Sequence, residues 1–153
     1  MTVLNIREIG DPILRSKAKK VEEISEKTIE FIDNLVETMY KKDGVGLAAP
    51  QVGVLKSIFV VDVGDELIKI INPEIVSTEG NSIREEGCLS IPGKTGLVIR
   101  SEKILVQGVN TEGKKIQIEA EDLLARAIQH EIDHLKGVLF VDKVVEPEKF
   151  NKL

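Results

Sequence analysis

The chain has 153 residues, of which 42% are hydrophobic and 31% charged, and its net charge at pH 7 is -5. That length suits one domain burying about 70% of the surface its unfolded form exposes. The acidic balance argues against a broad nucleic-acid surface, and the one cysteine excludes an internal disulfide, which fits a reducing cytoplasm. The segment from Met1 to Glu8 lacks the basic stretch and apolar run of a secretory signal. Apolar runs such as 58–61 and 138–141 are strand-sized and far too short to span a bilayer, so no membrane segment is expected. Residues 1–153 are expected to form a single domain.

In chain order, the cationic cluster Arg15, Lys17, Lys19 and Lys20 reads as a solvated face, with a ribosome contact as the alternative. From Ser25 to Lys42, Ile29, Ile32, Leu35, Val36, Met39 and Tyr40 recur at helical spacing. Ser25 serves as N-cap and Gly44 stands just beyond the end. Gly44 and Gly46 then mark a loop whose backbone must come near another group. Residues 57–63 read as a buried strand; two short strands follow, 68–71 and 75–77, split by Asn72-Pro73. Residues 103–109 and 115–120 form the clearest hairpin, joined by Asn110-Thr111-Glu112-Gly113. A second helix is predicted from Glu121 to Lys136, with Gly137 as C-cap. On it Leu123, Ala127, His130 and His134 share one stripe, read as facing a site, while Leu124, Ile128 and Leu135 share another, read as core. Two helices among antiparallel strands, without βαβ alternation, predict an α+β domain whose strands surround a central metal-binding helix.

The chemistry concentrates on that helix, which carries both histidines of the chain in a His-Glu-x-x-His spacing. A helix advances about 100° per residue, so His130 and His134 lie one above the other and Glu131 sits roughly 60° round from His134. Two imidazoles can hold a divalent metal there while a carboxylate takes a proton from water on the metal. Cys88 is the one strong soft donor available as a third ligand. A lone cysteine is usually a small buried hydrophobe. Beside Glu85 and Glu86 its thiol would not ionise readily, but a cation reverses that preference. One Cys with two His leaves a fourth position open, which is the pattern of catalytic sites.

Three segments, in order along the chain, resemble the signature motifs of the peptide deformylases. They are Gly44-Val45-Gly46-Leu47-Ala48-Ala49-Pro50-Gln51-Val52-Gly53, Glu86-Gly87-Cys88-Leu89-Ser90, and Gln129-His130-Glu131-Ile132-Asp133-His134-Leu135-Lys136-Gly137. Smaller echoes at Gly10-Asp11-Pro12-Ile13-Leu14-Arg15, and at Ile91-Pro92-Gly93 with Val98 and Arg100, extend the likeness over nearly the whole chain. The resemblance implies a hydrolase that removes the formyl group from formyl-methionyl nascent peptides at the ribosome and releases formate. It implies Cys88, His130 and His134 as metal ligands and Glu131 as proton carrier. The Gln51 side-chain amide and the Leu89 backbone N–H would be donors to the oxygen that gains negative charge. Gly44, Val45, Gly46, Glu86, Gly87 and Leu123 would bind substrate, the loop around Gly46 pairing strand-like with the peptide and Val45, Glu86, Leu123 and His130 bordering the methionine side chain. Arg100 would offer its fork to Glu86 as support.

Cys with two His suits zinc on geometry alone, whereas the resemblance implies ferrous iron, with nickel, cobalt or zinc able to occupy the same site. Two other readings stay open. A zinc protease shares His-Glu-x-x-His but would take its third ligand further along, where Glu146 and Glu148 stand. A relative that binds formylated peptides without cleaving them would be expected to lack Glu131 or Gln51. Position 126 is Arg, where some relatives carry a small apolar residue, and this would alter the rim of the methionine pocket.

Overall fold

The computed structural model describes residues 2–146; Met1 and residues 147–153, Glu148 among them, lie outside that range. Ser25 caps helix α1 (Glu26–Lys41) reciprocally with Thr28: each side-chain oxygen accepts from the other residue's backbone N–H, at 3.3 and 3.2 Å. Two N–H groups that the helix itself leaves free are thereby satisfied. The chain continues into β1 (Gly46–Ala48), a 3-10 turn (Ala49–Val52) and β2 (Ile58–Val61). Residues 46–48, expected as loop, are instead an edge strand paired antiparallel with β2, Gly46 opposite Val61. Three residues opening on a glycine are too few to display a strand's alternation.

Strand β2 is apolar at every position because both its faces are covered. Phe59 and Val61 pack with the second helix, α2 (Asp122–Leu135), while Ile58 and Val60 pack with Ile32, Leu35 and Met39 of α1. Phe59 is fully buried in this arrangement. Phe59→Ala is therefore expected to cost about 3–5 kcal/mol, read from urea unfolding; a loss near zero would show that this face is not core.

The break expected at Asn72-Pro73 does not divide the strand: β3 (Ile68–Glu79) is continuous. Asn72 takes a φ of 52°, donates its N–H to the Ser57 carbonyl, and uses its side chain to bond both the N–H and the carbonyl of Val21. The register against β6 (Lys103–Val109) shifts between Ile71 and Glu74. Proline has no N–H to give, so the ladder skips it in a bulge and resumes. Strands β6 and β7 (Lys115–Glu121) form the expected hairpin, completing an antiparallel five-stranded sheet in the order β1-β2-β3-β6-β7.

Helix α2 lays Ala125, Ile128, Ile132 and Leu135 on that sheet. Gly137 follows it with φ 77°, where an added Cβ would lie 2.5 Å from the Arg15 carbonyl oxygen. Against another face of α2 stands a ribbon of two strands, β4 (Ser82–Cys88) and β5 (Ile91–Arg100), which pairs with no strand of the larger sheet. Periodicity gave no sign of it, because its residues are largely polar or glycine and much of it faces solvent. Ile91 and Val98 of β5 pack with Leu14, Leu139 and Phe140 in a third small core. Residues 138–141 are not a strand: Phe140–Asp142 is a 3-10 turn, with the Leu139 N–H held by the Asp142 carboxylate. The architecture is α+β, with strands arranged around α2 as expected.

Candidate active site

Helix α2 presents His130 and His134 one turn apart, their Nε2 atoms separated by 3.2 Å. The end of β4 brings the Cys88 Sγ to 3.3 Å from His134 Nε2. All three ligand atoms lie within 4.8 Å of one another. His130 Nδ1 faces Glu86 Oε1 at 3.0 Å, which orients the ring and turns Nε2 to the shared centre. A thiolate with two imidazoles fits a borderline-soft divalent ion. Glu131 Oε1, buried without a protein partner, fits a polar ligand beside that ion.

Burial is the largest influence on the titrating groups of the site. Burial pushes the Glu131 carboxyl up to about 7, against the pull of His130 and Arg100. Burial holds the His134 imidazole well below its ordinary value. It would lower His130 too, but hydrogen bonds to Cys88 and Glu86 raise that group to about 10. Burial likewise works against charge on Glu86, yet bonds from His130 and Arg100 hold its carboxyl well below the ordinary carboxylate range. Arg100 grips both Glu86 oxygens at 2.9 Å and reaches Asp133 at 2.5 Å; Arg126 adds a further bond to Glu86 Oε2 at 2.5 Å.

The first motif closes the site from the sheet side. Gln51 is buried, its Oε1 accepting from the Ala48 N–H at 2.9 Å while its Nε2 points to Ser90 Oγ at 3.1 Å and Cys88 Sγ at 3.5 Å. The backbone at Gly44 and Gly46 does come close to other groups, as the glycines imply. A Cβ at Gly46 would lie 2.6 Å from Glu131 Oε2, and one at Gly44 2.7 Å from Leu89 Cδ1. Gly46→Ala should therefore displace the Glu131 carboxylate and lower kcat about 100-fold without unfolding the protein. Steady-state kinetics with circular dichroism as the control checks this, and full activity would contradict it.

The motif residues surround a cavity of about 600 Å³, lined by Gly44, Val45, Gly46, Gln51, Glu86, Gly87, Cys88, Leu89, Leu123, Ala127, His130 and Glu131 among others. Residues 3–150 match the family model for polypeptide deformylase. The chain belongs to the peptide deformylase family. It is 65% identical over 147 residues to a peptide deformylase of Halothermothrix orenii, which spans 95% of this chain and 96% of the relative. The crystal structure of the Thermotoga maritima peptide deformylase superposes with a TM-score of 0.93 at 44% identity, covering 95% of this chain and 100% of that one. That of the Synechococcus elongatus peptide deformylase, solved in complex with actinonin, gives 0.91 at 43% identity, covering 97% and 82%. Deformylases are metal-dependent hydrolases that remove the N-terminal formyl group from nascent peptides, and this chain is an enzyme of that class.

Of the residues singled out in the deformylase sequence, Arg100 and His134 stand behind the cavity wall and the others line it. Leu123 and Val45 are large apolar residues half exposed beside the cavity, at 50% and 49%. Three polar residues were missed. Arg126 was seen only as a departure at the rim, yet it is buried and bonded to Glu86. Its position one helical turn before His130 was the available signal. Asp133 takes a bond from Arg100 and Ser90 takes one from Gln51; each lies inside a signature motif, but nothing in its type marked a role for it.

Proposed function

We propose that this deformylase holds its metal with Cys88, His130 and His134, uses Glu131 as proton carrier, and works as one catalytic domain over residues 1–153. The observation that carries this reading is the convergence of Cys88 Sγ and the imidazole nitrogens within 4.8 Å, beside a buried carboxylate oxygen with no protein partner. The ion, when bound, supplies Lewis acidity that makes water in the cleft acidic and polarises the formyl oxygen. Glu131 takes the proton of the attacking water and returns it to the departing amine, releasing formate. Gln51, held by the Ala48 N–H, aims its amide at the Cys88 side of the cavity. That amide and the Leu89 backbone N–H donate to the oxygen that gains negative charge.

The substrate reading follows the cavity walls. Strand β1 is the edge of its sheet, so the backbone around Gly46 is available to pair with an extended peptide. Gly44 and Gly87 keep the approach narrow and free of side chains. Val45, Glu86, Leu123 and His130 border the methionine side chain. Both Glu86 oxygens are engaged by Arg100, Arg126 and His130, so this residue acts on substrate through the position of its neighbours. The enzyme meets formylated peptides as they leave the ribosome, in the cytoplasm. Among the described residues no helix is long and apolar enough to cross a membrane.

Ferrous iron is the metal proposed in the cell, with nickel, cobalt or zinc able to take the same place. Ferrous iron held by a thiolate in an open site gives up an electron to oxygen, and the thiolate is oxidised in turn, whereas nickel(II) does not react with oxygen in this way; the iron-loaded enzyme should therefore lose activity in air while the nickel-loaded enzyme keeps it. Equal lifetimes would contradict that choice. The ligand assignment is tested with cobalt. Cys88→Ser, His130→Ala and His134→Ala should each fail to retain it, whereas wild type should bind one ion with a thiolate-to-cobalt absorption band. A Cys88→Ser protein that keeps both the ion and the band would remove Cys88 from the set.

A further inference from the structure

We infer that Arg126 is a positioning residue for the metal centre, fixing the β4–β5 ribbon, and with it Cys88, against helix α2. The inference rests on the ligand assignment proposed above. Two of the three ligands ride on α2 and the third on the ribbon, so the spacing of the centre depends on what joins those two elements. The backbone does not join them. Among the described residues the ribbon's backbone bonds outside itself run to Ile9 and Val145, and none to α2. Side chains must set the distance.

Arg126 contributes the largest share of those contacts. It is 4% exposed and makes four hydrogen bonds to the ribbon. Nη1 donates to Glu86 Oε2 at 2.5 Å and to the Val98 carbonyl at 3.0 Å; Nη2 donates to the Ser82 carbonyl at 3.0 Å and its hydroxyl at 3.1 Å. The remaining bonds from α2 side chains are His130 to Glu86, His134 to Cys88 itself, Asp133 to Arg100, and Gln129 to Ser101 just past β5. Each of these holds one strand or its end, whereas Arg126 clamps β4 at two positions and β5 at a third. One contact, Glu86, lies two residues before Cys88. The planar fork of a guanidinium can satisfy acceptors in several directions at once, and a lysine ammonium on its flexible stem cannot reproduce that pattern. Removal of Arg126 would still leave both Glu86 oxygens bonded to Arg100, so the carboxylate is not stranded.

The test uses the full chain loaded with cobalt, in wild type, Arg126→Met and Arg126→Lys. It follows release of the ion to a chelator, the cobalt absorption spectrum, and thermal unfolding of the metal-free proteins. The methionine variant should fold, release cobalt about 10- to 100-fold faster and show shifted cobalt bands. The lysine variant, which keeps a charge near Glu86 but loses the fork, should fall between it and wild type. Wild-type release and an unchanged spectrum in Arg126→Met would overturn the inference, as would faster release explained wholly by unfolding of the metal-free chain. If the methionine variant does not fold, the lysine variant decides: release and spectrum identical to wild type would refute the clamp. A wild-type protein that binds no cobalt would sink the ligand assignment itself, and the inference with it.

Discussion

Glu131→Ala is expected to yield a folded, metal-loaded protein whose formate release falls by about 10²- to 10⁴-fold. The expectation of an intact fold comes from the contacts Glu131 lacks. Its Oε1 has no partner in the protein, so truncation strands no donor elsewhere. The side chain is buried against Gly46, where the chain has given up a Cβ to let the carboxylate stand. Such a group contributes little to stability and much to chemistry. Formate release measured under anaerobic conditions, alongside metal content and thermal unfolding, separates the two. Wild-type turnover in the alanine variant would assign the proton transfers to another group. Loss of activity that merely tracked loss of metal would make Glu131 a support for the ion.

Glu86→Ala should behave in the opposite way, failing first in stability. Glu86 is the shared acceptor of two buried guanidiniums and of His130 Nδ1. Its removal leaves Arg126 with only neutral acceptors, Arg100 with Asp133 alone, and His130 unoriented. Breaking a buried ion pair by deleting one partner costs about 3–5 kcal/mol, most of it from the charge left uncompensated. Denaturant unfolding should show that loss as a lower midpoint at unchanged slope, and the variant should hold metal less well. Glu86→Gln, which preserves the shape and removes the charge, should lose less. A loss below about 1 kcal/mol for the alanine variant would place this cluster with exposed ion pairs of small effect.

The parts of the molecule that were legible in its sequence are those with a strong local cause. Helix α1 announced itself by spacing and by Ser25, and the β6–β7 hairpin by alternation across a turn containing Gly113. The spacing of His130 and His134 and the lone Cys88 pointed to one another because few other soft donors exist in the chain. The β4–β5 ribbon was illegible because it is held by ion pairs and backbone bonds within itself, and such a ribbon needs no apolar alternation. Asn72-Pro73 misled because a missing N–H ends a regular ladder, whereas here a bulge carries the strand past it. Arg126 escaped for a related reason. An arginine is ordinarily solvated, and only the fold shows that Ser82, Glu86 and Val98 converge on it.

The most direct test of the account is formate release from a formyl-methionyl-alanine peptide by the iron- or nickel-loaded chain under anaerobic conditions. Formate should appear in equal amount to the free peptide amine, with turnover lost when Cys88, His130 or His134 is replaced. Absence of formate while the metal is demonstrably held by those three residues would contradict it.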